Sequence, residues 1–342
     1  MQNLLKNYEL QIRDYKESSK SKIWSQIINN SFKDINENKL SNFFSNNLSD
    51  GIDNSRLIDK EIVKKNFLIL CDKYKKDEVL KMFVDENNNI GNSKTYYSYE
   101  KKIITYSDIF HINYYYEIEK YISKKRSTIL EIGGGYGGLA RLISNNKFCT
   151  YILIDLPEIN LISSYYLTSH FPNKKFLLYE EFKNNKQNKI ENYDFVILPP
   201  WSLNKNIKSN FCINNRSMME MNTDSINKYF HYIQENLVAD GYFLNTNRYF
   251  SDGNKYNFYF YKFPYDQNWQ IIKSKTSWLQ KNIHFLLTRR TNIALNDMGN
   301  FLKNLEDFTT KRYLYKKNFY YKIKIFFKKI LKFINNKNKY QL

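Results

Sequence analysis

The densest run of residues able to do chemistry is Ile129-Leu130-Glu131-Ile132-Gly133-Gly134-Gly135-Tyr136-Gly137-Gly138. A short apolar stretch ends in an acid, and a glycine loop then opens a helix. Glycines let the backbone turn sharply and come close to a ligand, because no Cβ stands in between. The next apolar run, Tyr151 to Asp155, also ends in an acid, with Leu156 beside it. A carboxylate at that position can accept both hydroxyls of an adenosyl ribose at the carboxyl edge of a sheet. Gly133, Gly135 and Gly138 also satisfy the G-x-G-x-x-G spacing of dinucleotide sites, so a nicotinamide or flavin nucleotide has to be weighed. Glu131 separates the two readings. A dinucleotide lays its pyrophosphate over such glycines, and an anionic side chain two residues earlier opposes that charge. S-adenosylmethionine has no phosphate and carries a cationic amino group, which the acid favours. Glu131, Gly133, Gly135, Gly137, Asp155 and Leu156 are therefore the expected cofactor contacts. The bland alternative is a glycine turn that only reverses the chain.

This E-x-G-x-G-x-G loop resembles motif I of the class I methyltransferases. Further stretches resemble one branch of them, the sugar O-methyltransferases of bacterial surface-polysaccharide gene clusters. They are Leu130 to Ala140, Ile154-Asp-Leu-Pro-Glu158 with Tyr166-Leu167, Leu198-Pro-Pro-Trp201, the Ser217-x-x-Glu220-Met within Asn214 to Met221, and Asn247-Arg248. The resemblance covers about residues 85 to 290 and implies methyl transfer from S-adenosylmethionine to a hydroxyl of a glycan or its activated precursor. Residues 214–216 read Asn-Asn-Arg where a small residue is expected before the Ser-x-x-Glu. An acceptor on nucleic acid or protein is the alternative. Where amino-methyltransferases acting on adenine have Asp, Asn or Ser before Pro-Pro-aromatic, this chain has Leu198, which leaves no acceptor for an amino group and disfavours nucleic acid. Leu198 and Pro199 are read instead as an apolar lip near the adenine, or as strand termination by proline.

Methyl transfer to oxygen is an in-line displacement, for which the protein must supply alignment and a sink for the hydroxyl proton. A sugar hydroxyl is a very weak acid, so a base has to act as the proton leaves. The base is expected at the carboxyl ends of the fourth and fifth parallel strands. Glu220, directly after an apolar run, is the first candidate, against a surface carboxylate capping the next helix. His111, on a helix before the glycine loop, is the second, against a packed or solvated histidine. Asn247 and Arg248 are candidates to hold sugar hydroxyls or an anionic substituent, against ordinary loop polarity. No metal set is expected, because the four histidines, His111, His170, His231 and His284, are not at ligand spacing.

The elements that carry these residues divide the chain in three. Residues 1–105 read as an accessory helical region, with helical spacing at Leu4, Leu5, Tyr8 and Ile12 and again at Ile62, Phe67, Leu68 and Cys71. Residues 106–295 alternate apolar runs with helices: the runs begin near Thr128, Tyr151, Lys175, Asp194, Asn210 and Gly241, with helices over 138–144, 156–171 and 224–237. That alternation predicts a doubly wound, mostly parallel α/β sheet covered on both faces, of Rossmann-like type. Asp224 is the expected N-cap of the third helix. Two final runs, Trp269 to Lys273 and Ile283 to Thr288, predict a terminal hairpin that adds an antiparallel strand.

Residues 296–342 read as a basic helical extension. From Lys311 onward there are no acidic residues, and Tyr320, Ile323, Phe327, Ile330 and Ile334 step by three and four. Such a helix suits an anionic membrane surface, or else docks on the catalytic domain with a solvated lysine face. The whole chain of 342 residues carries a formal charge of +19, but lysine-heavy, asparagine-rich usage discounts that charge as a sign of a nucleic-acid partner. Three scattered cysteines and a polar start fit a cytoplasmic protein, peripheral at the inner face of a membrane if the basic helix binds there.

Overall fold

The computed structural model describes residues 1–15, 25, 28–29, 31–45, 48, 58–94, 96–184, 189–204, 207–251, 258–295 and 297–314. The basic helix expected beyond Lys311 lies outside these residues except for its first turn. Near the start, α1 (Gln2–Asp14) and the short α2 (Glu37–Ser41) precede α3 (Lys60–Lys73) and α4 (Lys76–Met82). The strands β1 (Val84–Asp85), β2 (Tyr97–Tyr99) and β3 (Lys102–Ile104) then form a small antiparallel sheet in the order β1-β3-β2. The sequence pattern missed that sheet, because strands of two or three residues are too short to show an alternation. α5 (Tyr106–Ile118) leads into the main domain.

The large sheet follows from runs that are apolar on both faces. β4 (Ser127–Ile132), α6 (Gly138–Asn146), β5 (Cys149–Ile154), α7 (Pro157–His170), β6 (Phe176–Leu178), α8 (Tyr179–Asn184), β7 (Phe195–Leu198), β8 (Ser209–Asn215), α9 (Thr223–Asn236) and β9 (Leu237–Arg248) come in that order. β10 (Phe250–Ser251) and β11 (Phe258–Tyr259) form a side ribbon, and β12 (Trp269–Thr276), β13 (Ile283–Arg290) and α10 (Asp297–Thr309) finish the described fold. The eight strands lie in the order β12-β13-β9-β8-β4-β5-β7-β6. β4 to β9 run parallel, and β13 inserts antiparallel between β9 and β12. The fold is thus the expected doubly wound α/β sheet with an antiparallel hairpin strand.

Alternate residues along each strand serve opposite faces. Ile129, Tyr151, Leu153, Phe195 and Ile213 pack with Phe110 and Tyr114 of α5, Leu139 and Ile143 of α6, and Leu161 and Ile162 of α7. Leu130, Ile132, Ile152, Val196 and Phe243 pack on the other side with Ile226, Phe230 and Ile233 of α9 and with α10. Each such side chain contributes about 2 kcal/mol of burial. α3, α4 and β3 cover the outer side of α5 and α6 through Phe67, Leu70, Val79 and Ile104. Asn222, not Asp224, caps α9: its side chain accepts the N–H of Ser225 at 2.8 Å, while Asp224 sits in the first turn.

β5 lies on one side of β4 and β8 on the other. The carboxyl ends of β4 and β8 therefore form the crevice where doubly wound sheets bind ligands. The fourth strand in sequence, β7, is not at that crevice; it lies beyond β5, which moves Leu198-Pro-Pro-Trp201 away from β8.

Candidate active site

β4 delivers Glu131 and Ile132 to the crevice, and Gly133, Gly135 and Gly137 follow with φ of 75°, 57° and 91°. A Cβ at position 133 would lie 2.0 Å from Ser217 Oγ, so only glycine lets the loop rest on that serine. The Gly133 N–H donates to Ile154 O at 2.8 Å, which ties the loop to β5. Asp155 faces the same loop. Gly135 N–H donates to its Oδ2 at 3.0 Å and Leu156 N–H to its Oδ1 at 2.8 Å. Each oxygen keeps a lone pair for a ligand hydroxyl.

Glu131 is 2% exposed and accepts the Tyr151 hydroxyl on Oε2 at 2.7 Å. Burial pushes this carboxyl up to about 8, against the Tyr151 hydrogen bond and with help from nearby Asp155. Asp155 is likewise pushed up to about 7 by burial, with Glu220 and Glu158 adding to the backbone-opposed rise. Two acids at the ends of neighbouring strands, both held near neutrality, leave a site that takes a cation more readily than an anion.

The opposite wall is the turn after β8. Asn214 is fully buried; its amide donates to Ile132 O at 2.8 Å and to Ser217 Oγ, and Ser217 Oγ donates to Ile132 O at 3.0 Å. Asn247 is also fully buried. It donates to Asn214 Oδ1 at 2.8 Å and accepts Met219 N–H at 3.1 Å. Its place is thus behind the turn that presents Glu220, and its side chain does not reach the crevice as a sugar-binding group must. Glu220 closes the short turn Met218–Glu220, is half-buried, and sits close enough to Asp155 to raise it.

At the other end of this turn stands Arg216, which the sequence pattern flagged only as an unexpected residue. It adopts φ 65° and donates its N–H to Thr246 O at 2.7 Å, and its guanidinium lies 5.4 Å from the Phe110 ring centre. Its Nε finds no partner among the described residues. His111 is nearby, 3.5 Å from the Tyr136 hydroxyl through Nδ1, and a Cβ on Gly138 would lie 2.6 Å from that nitrogen. Burial, with the charges of Arg141 and Arg216, takes His111 down to about 3, so its imidazole is neutral at physiological pH. The turn therefore splits the two candidate bases, with Glu220 beside Asp155 and His111 beside Arg216.

Arg248, at the end of β9, is half-buried, and its Nε has no partner among the described residues. Leu198 is fully buried in the core. Its carbonyl accepts Asp155 N–H at 3.3 Å, and Pro199 is buried behind it, so neither forms an exposed lip. Leu156, half-buried, precedes α7. Asn160, fully buried and missed from sequence, donates to both Asp155 O and Gln11 Oε1 at 3.0 Å. Through it α1 is fastened next to the crevice, and Asp14 strengthens the hold by accepting the Tyr179 hydroxyl at 3.0 Å and pairing with Lys183 at 2.7 Å. His170 and His284 are apart from this constellation, and among the described residues no three His, Cys, Asp or Glu side chains group as a metal set would need.

No protein-family model matches the chain, and no curated protein matches it. Solved structures do. The mitomycin 7-O-methyltransferase MmcR is similar over 54% of this chain and 57% of its own, at 10% identity and a TM-score of 0.35. The YcgJ protein of Bacillus subtilis is similar over 52% of this chain and 97% of its own, at 10% identity and 0.36. A Haemonchus contortus phosphoethanolamine-type N-methyltransferase, solved with S-adenosylhomocysteine, is similar over 42% of this chain and 30% of its own, at 16% identity and 0.29. The chain thus spans little more than half of MmcR and under a third of the nematode enzyme.

Proposed function

We propose that the chain is an S-adenosylmethionine-dependent O-methyltransferase whose acceptor is a sugar hydroxyl of a surface polysaccharide or its activated precursor. The supporting observation is the pair of near-neutral carboxyls, Glu131 and Asp155, on either side of a glycine loop at the switch point of the sheet. A diphosphate would have to lie against both. A cationic amino-acid end and a ribose diol suit them instead. When bound, the cofactor supplies a methyl group on a sulfonium as the electrophile. Glu131 would take the amino-acid end, Asp155 the ribose hydroxyls, and Gly133 and Gly135 the close approach.

The chain's own chemistry is then proton removal and orientation. Glu220 takes the acceptor hydroxyl's proton, and neutral His111 offers a hydrogen bond without adding charge. Arg216 and Arg248 present Nε–H groups, without partners among the described residues, that suit sugar oxygens. Calorimetry with S-adenosylhomocysteine and with NAD tests the cofactor assignment; NAD binding with the homocysteine product excluded would overturn it. Mass spectrometry of cell-surface glycans with and without the gene, read for the loss of one methyl group, tests the acceptor. A salt-dependent shift of DNA or RNA by the protein would move the acceptor to nucleic acid.

A further inference from the structure

Two turns beyond His111, α5 carries a charge imbalance that the crevice does not use. Glu117 is 5% exposed, and three lysines from two other elements converge on it. Lys73, at the end of α3, pairs with Oε1 at 2.6 Å, and Lys273 and Lys275 of β12 pair with Oε2 and Oε1. Among the described residues Glu117 is the one carboxylate within 4.0 Å of any of the three. One negative charge is thus set against three positive ones. The lysine side chains are 32%, 38% and 30% exposed, half-sunk yet open to solvent on one side. Asn113 caps the inner side, accepting from Lys73 at 3.0 Å and from the Trp278 indole N–H at 2.9 Å.

Partly desolvated ammonium groups that outnumber their partner repel one another, and that repulsion is relieved by an anion carrying about two charges. Lys275 shows the strain: burial lowers it, and Lys73 and Lys273 lower it further, against the pull of Glu117. An ammonium offers three N–H donors, and one or two on each lysine remain beyond the bonds to Glu117 and Asn113. Tetrahedral oxygens suit donors arriving from separate elements, and lysine binds phosphate as a point charge. Trp278 stands beside the cluster, its ring 5.7 Å from Lys73 Nζ, where a sugar or base ring can lie.

We infer that Lys73, Lys273 and Lys275 form a binding site for a phosphoryl dianion, the phosphorylated end of the acceptor. Six residues of α5 separate Glu117 from His111, about 9 Å along the helix axis, a span that suits an activated precursor carrying its phosphoryl group beyond the reacting sugar. The link to the acceptor rests on the methyl-transfer reading; the anion site does not, and its test uses no cofactor and no turnover.

Calorimetry on the full chain would use inorganic phosphate, glucose 1-phosphate and glucose. Glucose 1-phosphate should bind at one site more tightly than phosphate, and glucose should not bind. Lys273→Gln and Lys275→Gln should each weaken glucose 1-phosphate about tenfold, the loss of one charged hydrogen bond. Glu117→Gln should act the other way and tighten it, with near-ultraviolet circular dichroism confirming that each variant is folded. Absence of anion binding, or undiminished affinity in either lysine variant, would overturn the site. Equal affinity for phosphate and glucose 1-phosphate would overturn its assignment to the acceptor.

Discussion

Glu131 and Asp155 look alike in sequence, each an acid at a strand end, but their settings give them different work. Glu131 is sealed beneath the loop against Tyr151, and a cationic ligand must ionise it. Its carboxyl is pushed up to about 8 by burial, so each pH unit below that costs a cation up to tenfold in affinity. Affinity for S-adenosylhomocysteine should therefore fall as pH drops from 8 to 6 and level off above 8, and Glu131→Gln should flatten the profile; calorimetry across that range checks both. The raised value also acts on folding. The neutral form is favoured in the fold, so its contribution is present below the ordinary carboxylate range and is lost as pH rises through about 8. Glu220→Gln should lower kcat by about 100-fold or more with KM little changed, as loss of a general base does; steady-state kinetics on a methyl acceptor decides it. That Glu131, the glycines and Asp155 meet at one crevice could be read from the chain because their spacing is local. Ser217, Arg216 and Asn160 could not, since each gains its meaning from a partner on another strand or helix, and Asn247 was misjudged because an asparagine at a strand end looks the same facing a ligand or sealed behind a turn.

Among the elements, α1 departs furthest from its expected standing as accessory. It lies on α7 and α8, joined to the β5 end through Gln11 and Asn160 and to the Pro200–Asn204 turn through the Tyr15–Trp201 ring contact at 5.5 Å. Removal of residues 1–15 should weaken S-adenosylhomocysteine binding by about tenfold or more, the worth of one or two hydrogen bonds that steady Asp155; full affinity in the truncated protein would show α1 to be mere covering. α5 and α6 are locked by the Asp108–Arg141 pair, 3.3 Å apart with both side chains under a tenth exposed. Asp108→Ala leaves a buried guanidinium without its carboxylate and should cost about 3 kcal/mol, read from urea denaturation. The parallel strands were readable from apolar runs sealed on both faces. The position of β7 was not, because chain order does not say on which side of β4 a strand is laid.

Across the whole molecule, the sheet separates two jobs. The switch point between β4 and β8 holds the acids and the glycine loop, whereas the far edge, β12 with α5 above it, gathers lysines. A net charge of +19 gave no hint of that division, since composition counts charges without placing them. The docking of α1 has a consequence in time. Its anchors, Asn160, Tyr179 and Trp201, leave the ribosome long after the helix itself, and contacts so distant along the chain form late. α1 must wait, its apolar side uncovered, for the middle of the protein to be made, so this wall of the crevice closes only after residues far along the chain have emerged.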